Sequence, residues 1–221
     1  MKIHYSFLFC KGRVVRAAQV VTIALCCALA GAGEARGGDG RVVVALGDSL
    51  TAGFGVPEEA SYPSRLQARL NREGYAYTVV NAGVSGDTTA GGVRRIRWLL
   101  RHEPKIVILE LGANDGLRGL PLDEIYSNLE KIIVTCQEEG IRVLLAGMKV
   151  PPNYGEHYSR GFEDVFDRLA RRYALPFIPF FLEGVAAKKG FTQGDGIHPE
   201  PEGYAVVTET VWRHLKPLLE K

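Results

Sequence analysis

Val42-Val43-Val44-Ala45-Leu46-Gly47-Asp48-Ser49-Leu50 is the stretch whose reading decides the fold. Its apolar run lacks the polar alternation of a half-exposed strand and reads as a strand covered on both faces. Similar runs recur at 77–80, 106–111, 143–146 and 177–179. Helical spacing fills the gaps between them. Leu66 and Leu70 lie four apart within 62–72, and further helices are expected over 93–101 and 122–138. Phe162, Val165, Phe166, Leu169 and Tyr173 mark a fourth helix, and Tyr204, Val207, Val211 and Leu215 a last one over 202–219. Alternating strands and helices predict an α/β fold, a parallel sheet with helices on both faces. No internal repeat, low-complexity tract or interdomain linker interrupts the pattern.

Residues 1–35 follow a different logic. Lys2, Lys11, Arg13 and Arg16 precede an uncharged stretch over 17–32, and Gly31-Ala32-Gly33-Glu34-Ala35 supplies small residues. That order matches the basic, apolar and cleavage regions of a secretory signal peptide. The uncharged stretch falls short of the roughly 20 residues of a membrane-spanning helix. A retained N-terminal anchor is the competing reading. Cys26 and Cys27 each follow a bulky residue, Leu25 or Cys26, where lipid attachment wants a small one. The expected organisation is therefore a signal peptide over 1–35 and one domain over 41–221, a periplasmic or secreted protein without a membrane span once the leader is removed.

The charge pattern agrees. The leader holds four basic groups and one acidic, so the +2 of the whole chain leaves the remainder near −1. A near-neutral domain gives no electrostatic reason to bind nucleic acid. Loss of the leader also removes Cys10, Cys26 and Cys27, leaving only Cys136 and no disulfide within the chain. Cys136 shares an apolar helical stripe with Ile125, Leu129, Ile132 and Ile133 and reads as a small buried hydrophobe.

In open α/β sheets, ligands bind outside the carboxyl ends of the strands. Four strings fall there: Gly47-Asp48-Ser49, 81–87, Gly112-Ala113-Asn114-Asp115 and Asp195-Gly196-Ile197-His198. Ser49 follows the first strand directly, but Thr51 stands where a Gly-x-Ser-x-Gly elbow needs its second glycine. Read alone, Ser49 is equally a helix N-cap. Asp195 precedes His198 by three residues, so its carboxylate can hold one ring nitrogen while the other faces Ser49. An Asx turn beside an exposed histidine is the plainer reading of that pair. The Asn114 amide, the Gly86 N–H and the Ser49 N–H can donate to a developing oxyanion, although Asn and Gly serve turns just as readily. Asp48 and Asp115 are expected to support these groups by hydrogen bonds, and Asp87 to cap a helix. The arginines over 94–101 read as a solvated helix face. No Walker loop, zinc spacing or Gly-x-Gly-x-x-Gly fingerprint is present, and no metal or cofactor is expected.

These four strings, in this order, resemble the blocks of the GDSL, or SGNH, hydrolase family, and the likeness covers essentially all of 41–221. The resemblance implies a three-layer flavodoxin-like fold with a five-stranded parallel sheet. It implies a Ser49–Asp195–His198 triad and an oxyanion hole made by Ser49, Gly86 and Asn114. It also implies hydrolysis of esters or thioesters of acyl groups through an acyl-serine intermediate, by a monomer acting on small molecules. An apolar wall for the acyl tail is expected from Leu117 and Leu120 on one side and Tyr154, in the loop over 150–155, on the other. A carbohydrate O-acetyl esterase of the same superfamily would share every catalytic residue, and an inactive binding domain is the rival from another class.

Overall fold

Strand β1 (Arg41–Gly47) has a strand partner on each edge and is covered on both faces, which is why its residues read as continuously apolar: Val43, Val44, Ala45 and Leu46 are all fully buried. On one side it pairs in parallel with β2 (Tyr77–Gly83), Val44 opposite Val80. On the other it pairs in parallel with β3 (Pro104–Glu110), Val44 opposite Val107. Strands β4 (Arg142–Ala146) and β5 (Phe177–Ile178) extend the sheet to the order 2-1-3-4-5, all parallel. This is the flavodoxin-like order of a doubly wound sheet, as expected. The computed structural model describes residues 41–221, and the leader expected over 1–35 lies outside the described residues.

Right-handed crossovers distribute the helices. Helices α2 (Tyr62–Arg72) and α7 (Pro201–Leu215) pack together on one face. Helices α3 (Thr89–Leu99), α5 (Leu122–Glu138) and α6 (Glu156–Arg172) line up on the other. The predicted stripes are the buried ones: Leu66 and Leu70 on α2, Phe162, Val165, Phe166 and Leu169 on α6, Tyr204, Val207, Val211 and Leu215 on α7. Cys136 is fully buried on α5, and burial pushes its thiol up to about 12, so it behaves as a hydrophobe. Among the described residues no helix is long and apolar enough to cross a membrane.

Some element bounds differ from the sequence expectation. Helix α3 begins at Thr89 rather than near 93, capped by the Thr88 side chain; the poor helix formers Gly91 and Gly92 hid its first turn in the sequence. Both glycines are buried against neighbours that leave no room for a side chain. Helix α7 stops at Leu215 and continues as a 3₁₀ turn over Lys216–Leu218. Two short helices, α1 (Ser49–Ala52) and α4 (Ala113–Leu117), follow β1 and β3 almost without a loop. They carry Ser49 and Asn114.

Candidate active site

The chain leaves β1 and β3 at adjacent points of the carboxyl edge, where the winding direction of the sheet reverses. That is the crevice in which doubly wound sheets bind ligands. Ser49 opens α1 there, and Asp48, not Ser49, is the N-cap: its Oδ1 accepts the Leu50 N–H at 3.0 Å. The serine hydroxyl is thus released from capping. The Ser49 N–H, at the first position of the helix, has no intrahelical acceptor.

His198 Nε2 lies 2.9 Å from Ser49 Oγ, and His198 Nδ1 lies 2.5 Å from Asp195 Oδ2. An ionised carboxylate can only accept, so Nδ1 carries the proton and Nε2 accepts from the serine. Asp195 Oδ1 meanwhile accepts the Ile197 and His198 N–H groups at 2.8 and 3.0 Å. Burial alone would raise the Asp195 carboxyl, but the His198 side chain and these two amides outweigh it and hold it below the usual carboxylate range. The carboxylate therefore stays ionised beside the ring. The Asx turn and the histidine clamp are one structure here, with one oxygen of Asp195 serving each.

Asn114 and Gly86 border the same cavity of about 240 Å³ as Ser49 and His198. Asn114 Nδ2 donates one hydrogen to Asp48 Oδ2 at 3.1 Å, which fixes the amide and leaves its other hydrogen free. Gly86 turns at φ +79°, a left-handed conformation that glycine adopts without strain. Arg118 Nη2 donates to the Gly86 carbonyl at 3.1 Å and braces that turn from outside. A hydroxyl polarised by an imidazole–carboxylate pair, facing amide donors across a small cavity, can attack a carbonyl carbon and receive the resulting negative charge.

The supporting carboxylates divide their tasks. Asp115 accepts the Thr89 N–H and hydroxyl at 2.9 and 2.5 Å, tying α4 to the start of α3. Asp48 holds Asn114. Asp87 does not cap α3: the side chain of Thr88 accepts the Gly91 N–H, and Asp87 pairs with Arg95 Nε at 2.7 Å. Arg95 also donates to the carbonyls of Ala82 and Gly47 at 2.6 and 2.8 Å. It therefore clamps the ends of β1 and β2 to the Gly86 turn. Of the arginines over 94–101, this one is drawn inward.

Leu117 lines the cavity and also a second, apolar cavity of about 240 Å³ beside it. Leu50, Ala113 and Ile197 border both, and Met148, Phe180 and Leu182 border the second. Tyr154 is placed elsewhere. Its hydroxyl donates to the Leu117 carbonyl at 2.7 Å, so it props the loop that carries Leu117 instead of facing the cavity. Leu120 lines neither cavity; its carbonyl accepts from Tyr158 at 2.8 Å. Three features escaped sequence reasoning. Phe54 sets its ring 4.7 Å from the His198 ring. Gln193 Nε2 donates to the Phe54 and Pro199 carbonyls, tying the histidine loop to the turn after α1. Met148, Phe180 and Leu182 come from loops with no helical or strand period to mark them.

Beneath the cavity lies a buried charge problem. Glu110, at the end of β3, is fully buried, and its Oε2 accepts from Thr51 Oγ1 at 2.7 Å and the Asp48 N–H at 3.4 Å. Two buried carboxyls this close cannot both ionise at low cost. Burial, and then the charge of Asp48, push Glu110 well above the ordinary value. Burial raises Asp48 to about 6 against the opposing pull of the Leu50 N–H and the Asn114 amide. Of the two, Glu110 is the one whose burial favours the protonated form more strongly. Gly47 cannot carry a side chain, because a Cβ there would collide with Thr51 Oγ1 and Glu110 Oε2.

Comparison with known proteins agrees with this geometry. The profile of the GDSL-like Lipase/Acylhydrolase family matches residues 45–206. Esterase TesA of Pseudomonas aeruginosa is 43% identical over 180 residues, covering 81% of this chain and 90% of that protein. Thioesterase 1/protease 1/lysophospholipase L1 of Escherichia coli K12 is 35% identical over 175 residues, covering 79% of this chain and 83% of that protein. Among solved structures, a crystal structure of TesA superposes with a TM-score of 0.79 at 43% identity, over 81% of this chain and all of that one.

The buried pair sets a pH dependence of stability. A carboxyl raised in the folded protein binds its proton more tightly there than in the unfolded chain, so folding is favoured at low pH. The advantage is lost as pH rises through the ordinary value of 4.5 toward the folded value. Glu110→Gln keeps the shape and removes the ionisation. The Tm of the variant minus that of the native protein is expected to grow between pH 5 and pH 8, measured by thermal denaturation. A constant difference would show that Glu110 is not the group that titrates.

Proposed function

This chain belongs to the GDSL-like lipase/acylhydrolase family and is an ester hydrolase; we propose that Ser49 is its nucleophile and that it releases medium-length acyl groups from esters and thioesters. His198 Nε2 takes the Ser49 proton as Oγ bonds to the acyl carbonyl carbon. The carbonyl oxygen becomes an oxyanion facing the Ser49 N–H, the Gly86 N–H and the free Asn114 hydrogen. Asp195 stabilises the imidazolium and keeps its tautomer. His198 then gives the proton to the leaving oxygen or sulfur as the C–O or C–S bond breaks, leaving acyl-Ser49. Water, deprotonated by the same imidazole, attacks the ester and frees the acid. Each step uses this chain's own groups.

The single observation that carries this reading is the unbroken Ser49–His198–Asp195 hydrogen-bond chain on a cavity shared with Asn114 and Gly86. Ser49→Ala is expected to lose at least a thousandfold in ester turnover while remaining folded. Asn114→Ala is expected to lose roughly 10²–10³ in kcat with little change in KM. Steady-state kinetics and circular dichroism test both. Full phosphonate labelling of Ser49→Ala would move the nucleophile elsewhere.

The substrate class follows from the apolar cavity joined to the site through Leu50, Ala113, Leu117 and Ile197. An acetyl group leaves that space unused, which argues against an O-acetyl esterase. Each methylene fully buried there contributes about 0.8 kcal/mol, or up to about fourfold in kcat/KM. A p-nitrophenyl ester series is expected to rise from acetyl toward octanoyl and then level off. Leu117→Ala is expected to lower octanoyl turnover more than acetyl turnover. A native preference for acetyl would reject the acyl cavity.

The leader supports periplasmic work, since its basic, uncharged and small-residue regions stand in signal-peptide order. Intact-mass measurement of protein from the periplasm is expected to place the N-terminus between Gly33 and Gly38. A full-length mass in the membrane fraction would favour a retained anchor.

A further inference from the structure

Helix α3 presents a face that catalysis does not use. Arg94, Arg97 and Trp98 recur at helical spacing, and Arg101 continues the row in the 3₁₀ turn Leu100–His102. All four are exposed, while Ile96 and Leu99 on the other side of the helix are buried. Between Thr88 and Leu109 the chain carries five Lys or Arg and one acid, Glu103. Arg95 is engaged by Asp87, and among the described residues no carboxylate pairs with Arg94, Arg97 or Arg101. Trp98 is 61% exposed, the most exposed large hydrophobic side chain described, with its ring 5.8 Å from that of His102.

A shallow groove of about 420 Å³ runs between Trp98 and the edge strand β2 as far as Val84. Val84 is 49% exposed and directly precedes Ser85 and Gly86, which border the catalytic cavity. The apolar groove and the cationic row therefore lie side by side and lead to the site.

We propose that this face of α3 docks the enzyme on the surface of an anionic lipid bilayer. Arginine forks match lipid phosphates, and an indole is favoured at the boundary between headgroups and acyl chains. A free phosphate or a nucleic acid would use the arginines but leave Trp98 and Val84 in water. Docking would bring the oxyanion turn close to ester bonds held at a bilayer surface. The inference is about binding and stands apart from the assignment of the catalytic residues.

The test uses Ser49→Ala protein of established N-terminal mass, so that no lipid is consumed. Vesicles of phosphatidylcholine alone are compared with vesicles of equal parts phosphatidylcholine and phosphatidylglycerol. The chain has 2 tryptophans, and the other, Trp212, is 3% exposed, so a change in emission reports Trp98. Cosedimentation and a blue shift are expected only with the anionic vesicles, weakening with salt. Replacing Arg94, Arg97 and Arg101 together by Gln is expected to lower partitioning about a hundredfold, at about fivefold per basic side chain. The same three changes in an otherwise native enzyme are expected to leave turnover of a soluble butyryl ester unchanged, which also shows that it folds. Equal binding to both vesicles, an unshifted emission, or native-like partitioning of the triple variant would overturn the proposal. Should a DNA duplex produce the same shift at equal phosphate concentration, the face would be a general polyanion site and the lipid assignment would fall.

Discussion

The floor of the site is a buried contact between the ends of β1 and β3, where Gly47, Asp48, Thr51 and Glu110 meet. Everything above it depends on the close approach made there. With no side chain at position 47, Glu110 reaches under α1 and accepts from Thr51. Asp48 uses both oxygens, one on the Leu50 N–H and one on the Asn114 amide. The capping of α1 and the aim of the Asn114 amide are thus two ends of one carboxylate. Moving β1 against β3 by one residue would leave the local cap but separate Asp48 from Asn114 and Thr51 from Glu110.

The proposed catalytic groups stand on elements of different character. Ser49 and Asn114 start short helices rooted in central strands, so their positions inherit the rigidity of the sheet. His198 and Asp195 stand on a loop, and that loop is tied down locally. Asp195 folds it over the Ile197 and His198 amides, Gln193 anchors it to the turn after α1, and Phe54 packs its ring beside His198. The turn at Gly86 is held by two arginines, Arg118 directly and Arg95 through Asp87. Local hydrogen bonds do for the loops what the sheet does for the helix starts.

Much of this was legible in the chain. Continuous apolar runs marked the strands, most clearly the central β1, β3 and β4, because both faces of a parallel sheet are covered. Helical stripes marked the packing faces, since only one side of each helix meets the sheet. The two candidate catalytic strings were readable because the proposed chemistry needs a hydroxyl, an imidazole and a carboxylate, and few segments after strands or in late loops offer them. Where local rules competed, the reading was weaker. Two glycines hid the first turns of α3, and α1 and α4 are too short to show a period. Asp87 looked like a cap because a carboxylate before a helix usually is one, but Arg95, eight residues on, claims it.

Sequence by itself determined the element order, the buried faces and which groups are candidates to react, because burial periodicity and side-chain chemistry are local properties. Only tertiary structure decided how those groups divide their bonds. That Asp48 serves Asn114, that burial beside Asp48 raises Glu110, that Tyr154 props Leu117 instead of lining a cavity, and that Met148, Phe180 and Leu182 gather beside it are consequences of distance between segments far apart in the chain. Hydrogen bonds and desolvation depend on ångström separations that no spacing of residues along a sequence encodes.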